Sequence, residues 1–89
     1  VRVVFEPSAW EEFIAWTARN PATARKIIEL IQDIRRSPFV GLGKPEPLTG
    51  DWQHWWSRRI DSEHRLVYSV SGTKGDDQRL TIAQCRGHY

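Results

Sequence analysis

Apolar and polar positions alternate from Val1 to Glu6, the two-residue period of a short, half-buried strand. Pro7 and Ser8 close it, and Ser8 with Glu11 forms an S-x-x-E capping box that predicts a helix start. Trp10, Phe13, Ile14 and Thr17 then share one side of a helix running to about Ala18. Asn20 before Pro21 repeats the start signal, with Asn as N-cap and Pro in the first helical position. Ile27, Leu30, Ile31 and Ile34 recur at helical spacing, while Arg25, Lys26, Glu29 and Arg36 take the other sides. The pattern breaks from Ser37 to Gly50, where Pro38, Gly41, Gly43, Pro45 and Pro47 oppose regular structure. So long an irregular stretch in a small domain is more often functional than idle. Alternation returns from Trp52 to Ile60 and from His64 to Val70, with residues 61–63 as the turn between them. A polar connection over residues 71–78 leads to a last strand, Arg79 to Arg86. The predicted order is β-α-α-β-β-β: an α+β fold with a two-helix hairpin packed on a largely antiparallel, twisted sheet.

The 89 residues fit one domain spanning the whole chain, with no internal repeat. There are 5 Trp, and a core this small cannot easily enclose Trp10, Trp16, Trp52, Trp55 and Trp56 together, so some are expected at an interface. A formal charge of +2 is too small to establish nucleic-acid binding by itself; the placement of the charges must carry that reading. The single cysteine, Cys85, excludes an intramolecular disulfide framework and suits a reducing compartment. No signal-like or membrane-length apolar run occurs, so a cytoplasmic protein without membrane attachment is expected.

Glycine-rich phosphate loops, nucleophile elbows and zinc-type Cys/His spacings are all missing, so neither metal nor cofactor is expected. A distributed acid–base set remains. Cutting an RNA phosphodiester through its 2′-hydroxyl needs a base for that proton, an acid for the departing 5′-oxygen and a cation for the growing phosphoryl charge. Glu46, His88 and the arginines Arg58, Arg59 and Arg65 are residue types that meet those needs.

Each also has a plainer reading. Glu46, held extended between Pro45 and Pro47, reads from composition alone as a solvated loop carboxylate. Arg65 is equally a surface strand residue in an ion pair. Arg58 and Arg59 are adjacent and project to opposite sheet faces, so one of them serves structure or the periphery. His88 and Tyr89 sit where chains commonly fray, although the last strand leaves them little slack. A histidine with an ordinary pKa of ~6.5 suits proton donation near neutrality, and a tyrosine can stack on a base. Cys85 reads as a buried apolar residue rather than a nucleophile.

Four blocks of the chain, in order, resemble the YoeB toxins of the RelE superfamily. They are Ser37-Pro38-Phe39-Val40-Gly41-Leu42-Gly43-Lys44-Pro45-Glu46-Pro47-Leu48, Trp56-Ser57-Arg58-Arg59-Ile60, Glu63-His64-Arg65-Leu66-Val67-Tyr68 and Cys85-Arg86-Gly87-His88-Tyr89. The resemblance implies a RelE-like fold and a type II toxin that cuts mRNA in the ribosomal A site, inhibiting translation. It implies Glu46 as general base, His88 as general acid, Arg65 as transition-state cation and Tyr89 as the group orienting the nucleotide. Lys44, Arg58 and Arg59 are expected contacts to mRNA or ribosomal RNA phosphates, adding affinity more than sequence choice. The implied partners are a YefM-type antitoxin, whose flexible acidic C-terminal segment orders on binding, the ribosome with its mRNA, and a second copy in a homodimer.

Two departures stand out: the 72–77 connection is longer than is usual in that family, and Gly87 stands where a bulky aromatic is common, which is expected to loosen His88. Two other readings compete with the ribosome-dependent nuclease. One is a catalytically silent protein that blocks the A site or acts as an antitoxin-bound corepressor; the other is a ribonuclease that needs no ribosome.

Overall fold

A computed structural model describes every residue except Lys74, Asp76 and Tyr89. The N-terminal alternation forms β1 (Arg2–Phe5). Helix α1 (Pro7–Arg19) starts ahead of the expected capping box: Glu6 is the N-cap, without a side-chain cap bond, and Pro7 takes the first helical position. The fixed φ of proline is already helical and its missing N–H needs no partner there. Ser8 and Glu11 therefore lie inside the first turns.

The second start signal acts as read. The Asn20 N–H donates to Trp16 O at 2.8 Å, ending α1, while its side chain accepts the Thr23 N–H at 3.3 Å, opening α2 (Pro21–Arg36). Ile27, Leu30, Ile31 and Ile34 turn one face of α2 onto the sheet residues Leu66, Tyr68, Leu80 and Ile82. Fully burying each such aliphatic side chain contributes roughly 1.5–3 kcal/mol.

Among the described residues, five strands form one sheet in the order β1-β5-β4-β3-β2, covered on one face by the two helices. Within it, β3 (Trp56–Arg59), β4 (Arg65–Ser71) and β5 (Arg79–Gln84) pair antiparallel, and β1 joins β5 parallel. Two expectations change here. The irregular stretch contributes a two-residue strand, β2 (Glu46–Pro47), antiparallel to β3. The strand expected from Trp52 begins only at Trp56, because residues Gly50–Trp52 coil into a 3₁₀ turn and His54 adopts a φ of 76°. None of the five tryptophans is fully buried, and Trp10 is 48% exposed. Among the described residues, no helix is long and apolar enough to cross a membrane.

A bulge on β5 redirects the C-terminal segment. Tyr68 pairs with Ile82 but Val67 with Gln84, leaving Ala83 as the extra residue. Such an insertion reverses which side chains face which side. Cys85 consequently turns into the core, its Sγ 3.6 Å from Ala9 O. Burial, reinforced by the Glu12 charge, pushes its thiol pKa up to about 12.

The loop ahead of β2 is folded around Arg58, which is completely buried. Its Nη1 donates to Asp33 Oδ2 and to Leu42 O at 3.0 Å; its Nη2 donates to Ser37 O at 2.7 Å and Val40 O at 3.0 Å. Nε donates to Tyr68 Oη at 3.2 Å, and that hydroxyl donates onward to Pro38 O at 2.7 Å. Every N–H of the guanidinium is thus matched, which is what makes a buried charge tolerable. Asp33 also accepts the Leu42 N–H at 3.0 Å. That bond first, and Arg58 second, hold its carboxyl below the ordinary carboxylate range.

Candidate active site

Antiparallel pairing fixes which side chains share the sheet face away from the helices. Arg58, Leu66 and Tyr68 point to the helices, so their strand neighbours Ser57, Arg59, Arg65 and Val67 point to the other face. Glu46 pairs with Ser57 and joins them. Arg59 lies diagonally from Glu46, a spacing of about 7–8 Å, and directly opposite Arg65. The result is a carboxylate and two guanidinium groups around a floor of buried Ser57 and Val67.

Glu46 is exposed on its short strand, and no hydrogen bond or ion pair from the described residues engages its carboxylate. Arg65 is only 9% exposed; its Nη1 donates to Asp61 O at 3.0 Å and His64 O at 3.2 Å, which anchors the side chain, and no bond to another described residue engages its Nε or Nη2. Asp61 shapes this turn by accepting the N–H groups of Glu63 at 2.8 Å and His64 at 2.7 Å. Burial pushes the Asp61 pKa up, but those two donors and the nearby Arg65 charge hold it below the ordinary value.

The C-terminal segment reaches the same place. The Arg65 N–H donates to Gly87 O at 3.0 Å, and the Gly87 N–H donates to His64 Nδ1 at 2.8 Å. Gly87 takes a φ of 78°, the left-handed region natural to glycine. The expectation that Gly87 loosens the terminus is therefore corrected, since both its backbone polar groups are engaged. His88 follows directly and is exposed. Tyr89 lies outside the described residues.

Of the expected phosphate contacts, Lys44 and Arg59 are exposed close to Glu46. Arg58 is corrected: with no exposed surface and all its donors satisfied, it organises the loop and does not present a cation to a ligand. Asp33 and His64 are not among the site residues expected from the sequence. For Asp33 the signal was an acidic residue flanked by the core positions Leu30 and Ile34, a placement that calls for a buried partner. For His64 no local signal existed, because its partner is 23 residues away.

Comparison with known proteins adds a family. A family model for the YoeB-like toxin of bacterial type II toxin–antitoxin systems matches residues 5–89. The chain is 53% identical over 87 residues to toxin YoeB of Mycobacterium bovis, covering 98% of this chain and 96% of that protein. Its structure aligns with a YoeB/ParE toxin from Agrobacterium tumefaciens at a TM-score of 0.97 and 48% identity, over 100% of both chains. It aligns with the toxin in a heterotetrameric YoeB–YefM toxin–antitoxin complex from Staphylococcus aureus at 0.86 and 38% identity, covering 100% and 98% of the two chains. A YoeB dimer from the same species aligns at 0.88 and 38% identity with the same coverage.

Proposed function

This chain belongs to the YoeB-like toxins of bacterial type II toxin–antitoxin systems, and we propose that it is a ribosome-dependent endoribonuclease that cuts mRNA in the ribosomal A site. The observation that carries this reading is the sheet face away from the helices, on which strand register gathers Glu46, Arg59 and Arg65 while Arg65 binds the backbone just before His88. Glu46, engaged by none of the described residues and held between two prolines, removes the 2′-hydroxyl proton. The oxygen left behind attacks the adjacent phosphorus, and the bond to the 5′-oxygen breaks. His88 gives that oxygen its proton. Arg65, anchored by two carbonyls, stabilises the charge on the phosphoryl oxygens. The products are a 2′,3′-cyclic phosphate and a 5′-hydroxyl. Tyr89 is assigned to orienting the nucleotide on the family resemblance alone.

Lys44 and Arg59 are the cations assigned to mRNA or ribosomal RNA phosphates. A YefM-type antitoxin is the proposed controlling partner and a homodimer the proposed assembly, in keeping with the Staphylococcus aureus complexes. Trp10, Phe39, Val40 and Leu42, all exposed, offer apolar surface for such contacts.

The test is mRNA integrity in a cell-free translation reaction with the wild-type chain and with His88→Ala. A cut within the message during translation, lost in the variant, is the expected result. Arrested translation over intact message would replace the nuclease with a binding-only inhibitor, and fast cutting of free RNA would remove the requirement for a ribosome.

A further inference from the structure

Three side chains with no part in the proposed chemistry grip the segment that leads to His88. Glu12 Oε1 accepts the Cys85 N–H at 2.8 Å, and the Trp16 indole N–H donates to Cys85 O at 2.9 Å. His64 Nδ1 accepts the Gly87 N–H at 2.8 Å. All three line a cavity of about 160 Å³ between α1, the 61–63 turn and the terminal segment. Trp16 meets the His64 ring edge-on, centroids 4.9 Å apart and planes at 76°, which fixes the orientation of the imidazole. With Arg65 holding Gly87 O, both backbone polar groups of Cys85 and of Gly87 are taken. Chain ends ordinarily fray; this one is fastened at four points within three residues.

We propose that His64 is a positioning residue for His88: its neutral ring, by accepting the Gly87 N–H, sets where the general acid stands relative to the departing 5′-oxygen. The inference rests on the cleavage reading given above. An accepting Nδ1 requires the ring proton on Nε2. Protonation would turn Nδ1 into a donor facing the Gly87 N–H, and the bond would be lost. The active species therefore holds its two histidines in opposite protonation states, His64 neutral and His88 charged. The ionisable groups around the His64 ring are Glu12 and Arg19 on α1, Asp61 and Glu63 in the turn, Arg65 on β4 and Arg86 on the terminal segment.

Two measurements test this. In the first, single-turnover cleavage of ribosome-bound mRNA is followed for the full chain, His64→Ala and His64→Asn. Misplacing a reacting group by about 1 Å costs up to ~10²-fold, so His64→Ala is expected to slow cleavage by ~10- to 100-fold with ribosome affinity unchanged. Asparagine places an acceptor near the Nδ1 position but takes up no proton. It is expected to recover most of the rate and to flatten the loss of activity on acidification. In the second, nitrogen-15 NMR of the isolated protein is expected to show His64 as the Nε2–H tautomer. The Gly87 amide is expected to be protected from exchange in wild type and His64→Asn, and unprotected in His64→Ala.

A folded His64→Ala protein that loses Gly87 protection yet cleaves at the wild-type rate overturns the positioning role. An Nδ1–H tautomer, or protection untouched by the alanine change, overturns the clamp itself. If wild type leaves the message intact, the cleavage reading and the positioning role fail together, while the tautomer and exchange results still decide the clamp. If His64→Ala does not fold, the tautomer and the asparagine pH profile decide the proposal.

Discussion

Asp33 on α2 and Arg58 on β3, 25 residues apart in the chain, form an ion pair beneath the loop that leads to Glu46. The pair joins helix to sheet and, through the carbonyls of Ser37, Val40 and Leu42, dictates the loop's path. Removing one partner of a buried pair strands the other charge, at a cost of about 3–5 kcal/mol. Asp33→Ala is expected to lose that much stability in urea unfolding, and Arg58→Lys to lose a similar amount, because an ammonium cannot reproduce the planar fork. A loss under ~1 kcal/mol in both, the scale of an exposed pair, would show that the network is dispensable.

Arg59→Ala should behave oppositely. Its side chain is exposed on the face of Glu46 and Arg65, so stability is expected to change by less than ~0.5 kcal/mol. Ribosome binding should weaken and its salt dependence should become shallower, as for a lost phosphate contact. Titrating affinity against salt for Arg58→Lys and Arg59→Ala separates the two neighbours.

Glu46→Ala, Arg65→Ala and His88→Ala are each expected to slow message cleavage by at least ~10²-fold in single-turnover assays. Near-wild-type cutting by both the Glu46 and His88 variants would remove the acid–base assignment.

Acid should weaken the fold partly through Asp33. Its folded pKa is depressed, so the stabilisation is complete above the unfolded value of about 3.9 and disappears as pH falls through the lower folded value. Urea midpoints measured below pH ~4 should therefore fall more steeply for wild type than for Asp33→Asn. Parallel slopes would assign the acid sensitivity to other carboxylates.

Cys85 should resist alkylation in the native state. Its thiol is fully buried with a pKa pushed up to about 12, so almost no thiolate exists at neutral pH. Iodoacetamide labelling followed by mass spectrometry should detect modification only under unfolding conditions; fast native labelling would mean that the terminal segment opens readily.

What was legible in the chain was what short-range chemistry decides. Asn20 and Pro21 end one helix and begin the next through bonds spanning three or four residues, so the sequence signal and the structure agree there. Ser8 and Glu11 misled because Pro7, one position earlier, suits the first helical turn and claimed it. Trp52 to Trp55 alternates like a strand, but the positive φ angles of Gly50 and His54 turn the backbone before pairing begins. The face of the candidate site followed from strand period, since Arg58 and Arg59 had to diverge. Which of them turned inward depended on Asp33, and the seat of Gly87 depended on His64; both are contacts between distant parts of the chain.

The prolines around Glu46 have a second effect, on how the molecule meets its own kind. The outer rim of the sheet at β2 is two residues long, and Pro47 brings no N–H to it. A foreign strand seeking to zip onto that rim finds almost no ladder to extend. The rigidity that aims a carboxylate thus also guards this edge of the sheet against fibrous self-association.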